Sequence, residues 1–139
     1  ASMHARQQAA RKARAYPERW LTAILGGMPD NAGLWAAVHH GRVVSALLVG
    51  WSGKAATALL SAADPEARPL KAGNLLYLGV LEALALRGLH SVDLGGSRDL
   101  PALEMFKRSL GGTRVSRPFF RYRHPGLRLY QRLASPRRN

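Results

Sequence analysis

The chain has 139 residues, 47% of them hydrophobic, no cysteine, and a formal net charge of +13 from 21 lysines and arginines against 8 acidic residues. That length fits one domain with a real core, and the absence of thiols excludes disulfides and thiolate catalysis. The basic surplus is strongest after Glu104, beyond which no acidic residue occurs; it fits an anionic partner, or else an arginine-rich genome with solvated side chains.

Residues 1–16 predict a basic N-terminal helix or tail, with little but alanine to bury before Tyr16. Residues 17–134 are expected to form the single domain, and 135–139 a basic tail. Ala1-Ser2-Met3 reads as a leftover ahead of the natural start, as in a piece of a longer protein. After Pro17, residues 18–25 predict a helix carrying Trp20, Leu21, Ile24 and Leu25, ended by Gly26-Gly27. Residues 34–39, 42–51 and 55–62 predict three strands, joined by turns at His40-Gly41 and Ser52-Gly53 into an antiparallel meander. His39 and His40 are expected on opposite faces, a poor metal pair. With no cysteine and no acidic cluster near the other histidines, no metal is expected.

Residues 75–86 are almost wholly apolar. They predict a helix starting at Gly73 or Asn74, with Asn74 as its cap, buried on several sides and stopped by Gly88. It is too short for a membrane span, and no apolar leader follows the basic N-terminus, so a cytoplasmic protein is expected. Residues 91–94 predict a short strand ended by Gly95-Gly96. Asp99 is expected to cap a helix from 100 to 110, with Pro101 in its first turn. There Leu103, Phe106 and Leu110 share a face, and Glu104 pairs with Arg108. Lys107 lies beside the apolar stripe, its stem able to pack while its ammonium reaches a cleft. Residues 113–123 predict a further strand, with Pro118 at an edge or bulge. Residues 125–133 predict a closing helix whose Leu127, Tyr130 and Leu133 dock on the sheet or on a second copy. The fold class is α+β: a mixed, mostly antiparallel sheet flanked by helices.

The ordered set Pro69-Leu70, Gly73-Asn74-Leu75-Leu76, Arg87-Gly88-Leu89, Asp93-Leu94-Gly95-Gly96-Ser97 and Phe106-Lys107-Arg108-Ser109-Leu110-Gly111-Gly112 resembles the C-terminal part of the Fem-type (FemAB-like) transferases. These belong to the broad GNAT-like acyltransferase superfamily, and the resemblance covers roughly residues 34–124. It implies a GNAT-like fold and transfer of an acyl or aminoacyl group from a carrier to an amine acceptor, of the cell-wall or exopolysaccharide precursor type. Such proteins often carry two GNAT-like domains in tandem, and this chain has length for one. A missing second GNAT-like domain or a homodimer is therefore expected. No tightly bound cofactor is expected; the donor is an aminoacyl-tRNA, an acyl-CoA or another acyl carrier.

Acyl transfer to an amine passes through a tetrahedral intermediate whose negative oxygen needs fixed cations or N–H donors. Lys107 is the candidate cation, since the resemblance implicates the lysine of the Phe-Lys pair in catalysis. The alternative is a helix-end lysine favoured by the helix dipole. The substrate-binding candidates are Asn74, Asp93, Ser97, Arg98 and Phe106. Asp93 either accepts from glycine-loop N–H groups or faces the acceptor amine, Arg98 either holds an anion or is solvated, and Phe106 is either core or contact. No G-x-G-x-x-G fingerprint occurs. The Arg/Gln-x-x-Gly-x-Gly/Ala pyrophosphate loop of acetyl-CoA enzymes is also absent, the segment 68–73 reading as wrongly spaced, which disfavours acetyl-CoA. Free N–H groups near Asn74, with Lys71 beside them, could still take a phosphate. No Ser-His-Asp constellation follows from spacing. Two other readings remain. One is a non-catalytic basic module binding RNA, including tRNA, or another polyanion through Arg114, Arg117, Arg121, Arg123 and Arg128. The other is a structural or partner role for a lone domain.

Overall fold

The computed structural model describes residues 16–97, 100–116 and 118. Helix α1 spans Glu18–Gly27, followed by strands β1 (Ala32–His39), β2 (Arg42–Ser52) and β3 (Ala55–Ala63). A 3-10 turn over Pro65–Leu70 leads into helix α2 (Ala72–Leu86). Strand β4 (Ser91–Asp93) and helix α3 (Pro101–Ser109) complete the order. The four strands lie in sequence order, β1-β2-β3-β4, antiparallel except for the parallel β3–β4 pair. This is the expected α+β layout. The expected basic helix or tail over 1–16 falls outside the described residues apart from Tyr16, which stacks on Trp20 of α1 with centroids 4.6 Å apart.

The meander follows from its turns. His40 and Gly41 both take positive φ, 46° and 73°, the geometry that lets a two-residue hairpin follow strand twist. The core forms on the face where Leu47, Val49 and Ala56 of the sheet meet Leu76, Val80 and Leu84 of α2. Trp35 and Trp51 flank it, and the Arg87 guanidinium lies 5.9 and 5.2 Å from their ring centroids. Beyond α2, Gly88 at φ 79° ends the helix. Its N–H donates to the Ala85 carbonyl, and the Leu89 N–H donates to that of Leu84. Those two bonds make a Schellman motif and bring Leu89 against the core.

The expectation that α2 is buried on several sides is overturned. Only Ala72, Leu76, Val80 and Leu84 are buried, a single stripe facing the sheet, whereas Leu75 is 71% exposed and Leu86 91%. Apolar composition all round shows what a helix could bury; the sheet offers it only one face. Asn74 is not the cap either. The helix begins at Ala72 after Lys71, which stands at φ 48° and takes the Asn74 N–H on its carbonyl at 2.9 Å. Asn74 therefore lies inside the first turn, with no side-chain cap made there.

At α3 the residue before the helix is Leu100, with no side-chain cap; Asp99 lies outside the described residues. The expected strand over 113–123 does not form where it can be seen: residues 113–116 and 118 carry no strand. The others of that stretch, and the predicted helix over 125–133, lie outside the described residues.

Candidate active site

β3 and β4 are paired over only three residues: Ala55 with Ser91, Ala56 with Val92, and Thr57 with Asp93. β3 then runs on to Ala63, while the chain leaves β4 at Leu94. The two parallel strands thus diverge, and among the described residues that side of β3 has no strand partner from Ala58 onward. At the point of divergence stands Gly95, at φ 75°. A Cβ built there would lie 4.0 Å from the Ala58 carbonyl oxygen, so the loop still borders β3.

Gly95 is held from both ends. Its N–H donates to Oδ1 of Asp93 at 2.7 Å, closing the strand end into a tight turn. Its carbonyl accepts from the Lys107 Nζ at 2.6 Å. The lysine comes from the last turn of α3. There Gly111, at φ 82°, and Gly112 build a second Schellman motif, with the Gly112 N–H on the Lys107 carbonyl at 3.0 Å and the Gly111 N–H on that of Arg108 at 2.9 Å. A Cβ on Gly112 would stand 2.8 Å from the Lys107 oxygen and 3.3 Å from Leu94 Cδ1. Two of the three Gly-Gly pairs of the sequence, Gly95-Gly96 and Gly111-Gly112, thus meet at Lys107, the first at its ammonium and the second at its main-chain carbonyl. Sequence reading missed the role of Gly112, although a Gly-Gly directly after a helical stripe is the signal for such a cap.

The Lys107 ammonium is pushed below the ordinary lysine range by desolvation, with the Asp93 carboxylate pulling the other way. An ammonium carries three donors; one is spent on Gly95, which leaves two for a ligand. Ser97 is half-buried on the same loop, and its carbonyl accepts from the Leu100 N–H at 2.9 Å. Arg98 lies outside the described residues. Phe106 packs edge-on against Tyr77 of α2, centroids 5.2 Å apart, which places it between helices. Burial pushes the Tyr77 hydroxyl to a higher pKa, partly offset by its hydrogen bond with Ser61 of β3. Of the substrate-binding candidates, the structure links Asp93 to Lys107 through Gly95.

The helix entrance corrects another reading. Residues 68–73 are not wrongly spaced: Arg68-x-x-Lys71-x-Gly73 has the spacing of the pyrophosphate loop, with Lys71 where that loop has its first glycine. Lys71 takes the left-handed conformation that a glycine would supply. A search for glycines alone could not find it. The histidine pair is likewise corrected. His40 sits in the turn, as expected, but strand alternation does not reach across that turn, and its ring meets that of His39 edge-on, 4.1 Å between centroids, rather than lying on the opposite face. No group of three or more potential metal ligands occurs among the described residues.

Of the polyanion candidates, Arg114 lies 3.7 Å from Glu104, which also takes Arg108 at 2.9 Å as the i, i+4 spacing predicts. Arg117, Arg121, Arg123 and Arg128 fall outside the described residues. Among the described residues, no helix is long and apolar enough to cross a membrane.

Residues 1–108 match a family model described as an acetyltransferase (GNAT) domain, a span that includes Lys107. No curated protein matches the sequence. Similar solved structures include a ribosomal-protein-alanine N-acetyltransferase from Escherichia coli, at 18% identity and a TM-score of 0.64, covering 75% of this chain and 65% of that one. The chain thus spans slightly less than two thirds of that relative. An aminoglycoside acetyltransferase from an uncultured soil metagenomic sample aligns at 19% identity and a TM-score of 0.64, covering 88% and 86%. An aminoglycoside N-acetyltransferase in complex with CoA aligns at 14% identity and a TM-score of 0.60, covering 76% and 90%. At these identities the likeness is one of fold.

Proposed function

Because the chain belongs to the acetyltransferase (GNAT) domain family, we propose that it moves an acyl group from a carrier to an amine at the divergence of β3 and β4. The observation that carries this reading is the Lys107 ammonium, fixed on the Gly95 carbonyl at that opening with donors to spare. The amine attacks the acyl carbonyl, the carbon–nitrogen bond forms, and the carbonyl oxygen takes the negative charge. Lys107 donates to that oxygen. Collapse breaks the bond to the carrier, and the amine's proton leaves with the carrier or to solvent. A preorganised cation aimed at developing charge is worth most where water is excluded.

Two features bear on the donor. Lys71 and the first-turn N–H groups of α2 form a positive helix entrance that suits a phosphate-bearing carrier. One of the fold relatives is described in complex with CoA. The first fits any phosphate-bearing donor; the second favours an acyl-CoA. The ordered Asp93–Ser97 and Phe106–Gly112 motifs keep a Fem-type assignment, with a cell-wall or exopolysaccharide precursor as acceptor, as the finer form of the reading. We take 17–134 as the domain that acts, paired in a longer protein or a dimer with a second unit. The polyanion reading has less behind it, because Arg114 shares Glu104 with Arg108.

The test is transfer from acetyl-CoA and from an aminoacyl-tRNA to a panel of amines, by wild type and Lys107→Met. Loss of one oxyanion donor should slow turnover roughly a hundredfold, about 3 kcal/mol, with the melting temperature retained. Equal turnover by the two proteins overturns the assignment.

A further inference from the structure

The Lys107 ammonium feels the Asp93 carboxylate, and the two charged groups of the site are also linked through the main chain. They grip successive atoms of one glycine. Asp93 takes the Gly95 N–H at 2.7 Å, and Lys107 gives to the Gly95 carbonyl at 2.6 Å. The direction of that carbonyl depends on φ of Gly95, here 75°, a conformation that only glycine adopts without cost. The turn made by Asp93 selects that conformation. Without the acceptor at 93, the glycine is free to swing its carbonyl away, because φ of either sign is open to it.

We propose that Asp93 is a positioning residue for Lys107, acting through the peptide of Gly95: it turns the glycine so that its carbonyl anchors the ammonium at the mouth between β3 and β4. The geometry stands by itself; its consequence for turnover rests on the acyl-transfer reading above. The anchor at the other end of the same lysine is the Gly112 N–H on its backbone carbonyl. Lys107 is thereby fixed at both its main chain and its tip. A side chain with four rotatable carbons, fixed at both ends, loses little further freedom when a developing oxyanion arrives.

The experiment needs no substrate. The lysines are Lys12, Lys54, Lys71 and Lys107, few enough to follow each ammonium by NMR with isotope-labelled lysine, and Lys107 is assigned by its loss in Lys107→Met. In wild type the Lys107 ammonium should exchange its protons with water measurably more slowly than that of Lys54. Asp93→Ala should abolish this protection. Asp93→Asn should keep it, because its side-chain oxygen still accepts from Gly95. Protection equal to that of Lys54 in wild type overturns the proposal even if a variant fails to fold, and so does full protection retained in a folded Asp93→Ala. Where turnover is measurable, Asp93→Ala should lower kcat, by up to roughly a hundredfold for a misplacement of this kind, with KM for the donor little changed. Lost protection with unchanged kcat supports the positioning and overturns the catalytic role given to Lys107.

Discussion

Gly112→Ala is the sharpest probe of how Lys107 is held. The added Cβ would stand 2.8 Å from the Lys107 carbonyl oxygen and 3.4 Å from its carbonyl carbon, both main-chain atoms inside a helix end. They cannot rotate aside as a flexible side chain does. Relief means drawing the Gly112 N–H away from that same oxygen, now 3.0 Å off, and opening the Schellman motif. Leu94 Cδ1, at 3.3 Å, is the end of a flexible side chain and can give way, so the clash with the main chain carries the cost. Overpacking of this kind costs about 2 kcal/mol. For a domain of this size that lowers the melting temperature by roughly 6–12 °C. Gly96→Ala is the matched control, since nothing lies within 4 Å of a Cβ there, and it should change stability by less than about 0.5 kcal/mol. Thermal or urea melts of the two variants decide the matter. Equal stabilities would refute the packing account of Gly111-Gly112 and, with it, the claim that this cap sets the place of Lys107.

Two further outcomes follow from burial and charge. Leu84→Ala should cost about 2–5 kcal/mol, because the side chain is 1% exposed in the core. Leu86→Ala on the same helix, at 91% exposure, should stay within about 0.5 kcal/mol by denaturant melts. Alkaline pH should show two opposed limbs. Lys107 sheds its proton more readily folded than unfolded, so unfolding takes up a proton between those two values and stability rises with pH just below the ordinary lysine range. Tyr77 holds its proton longer when folded, so stability falls as pH climbs above the ordinary tyrosine value. Lys107→Met should remove the first limb, and Tyr77→Phe the second.

Much of this was legible because it is local. The meander followed from paired turn residues between Val- and Leu-rich runs, and β4 and α3 from a short apolar run, Gly95-Gly96 and Pro101. What failed was what neighbours decide. The full circle of leucines on α2 said nothing about how many faces the sheet would cover. Asn74 looked like a cap because asparagine caps well, yet the turn before it placed Lys71 in the left-handed conformation and began the helix earlier. The histidines were assigned to opposite faces by strand alternation, which stops at the turn that holds His40. Lys107 was found through a family resemblance and its place beside a stripe. Its link to Asp93 through a glycine carbonyl involves main-chain atoms, which one-letter patterns do not display.

The short β3–β4 pairing has a consequence for how the molecule opens. The meander and α2 hold each other through fully buried side chains, whereas α3 has no buried residue and β4 only half-buried ones beside exposed Ser91. Sheet pairing closed by nearby turns forms early, and a parallel crossover strand is joined late. The unit carrying Asp93, Gly95 and Lys107 is therefore the one most readily released by a partial opening that leaves the central layers intact. Amide protons of β4 and α3 should exchange at a lower free energy than those of β2. A ligand that bridges Lys107 and the edge of β3 would then draw that unit shut, so that occupancy of the site and the cohesion of the fold rise together.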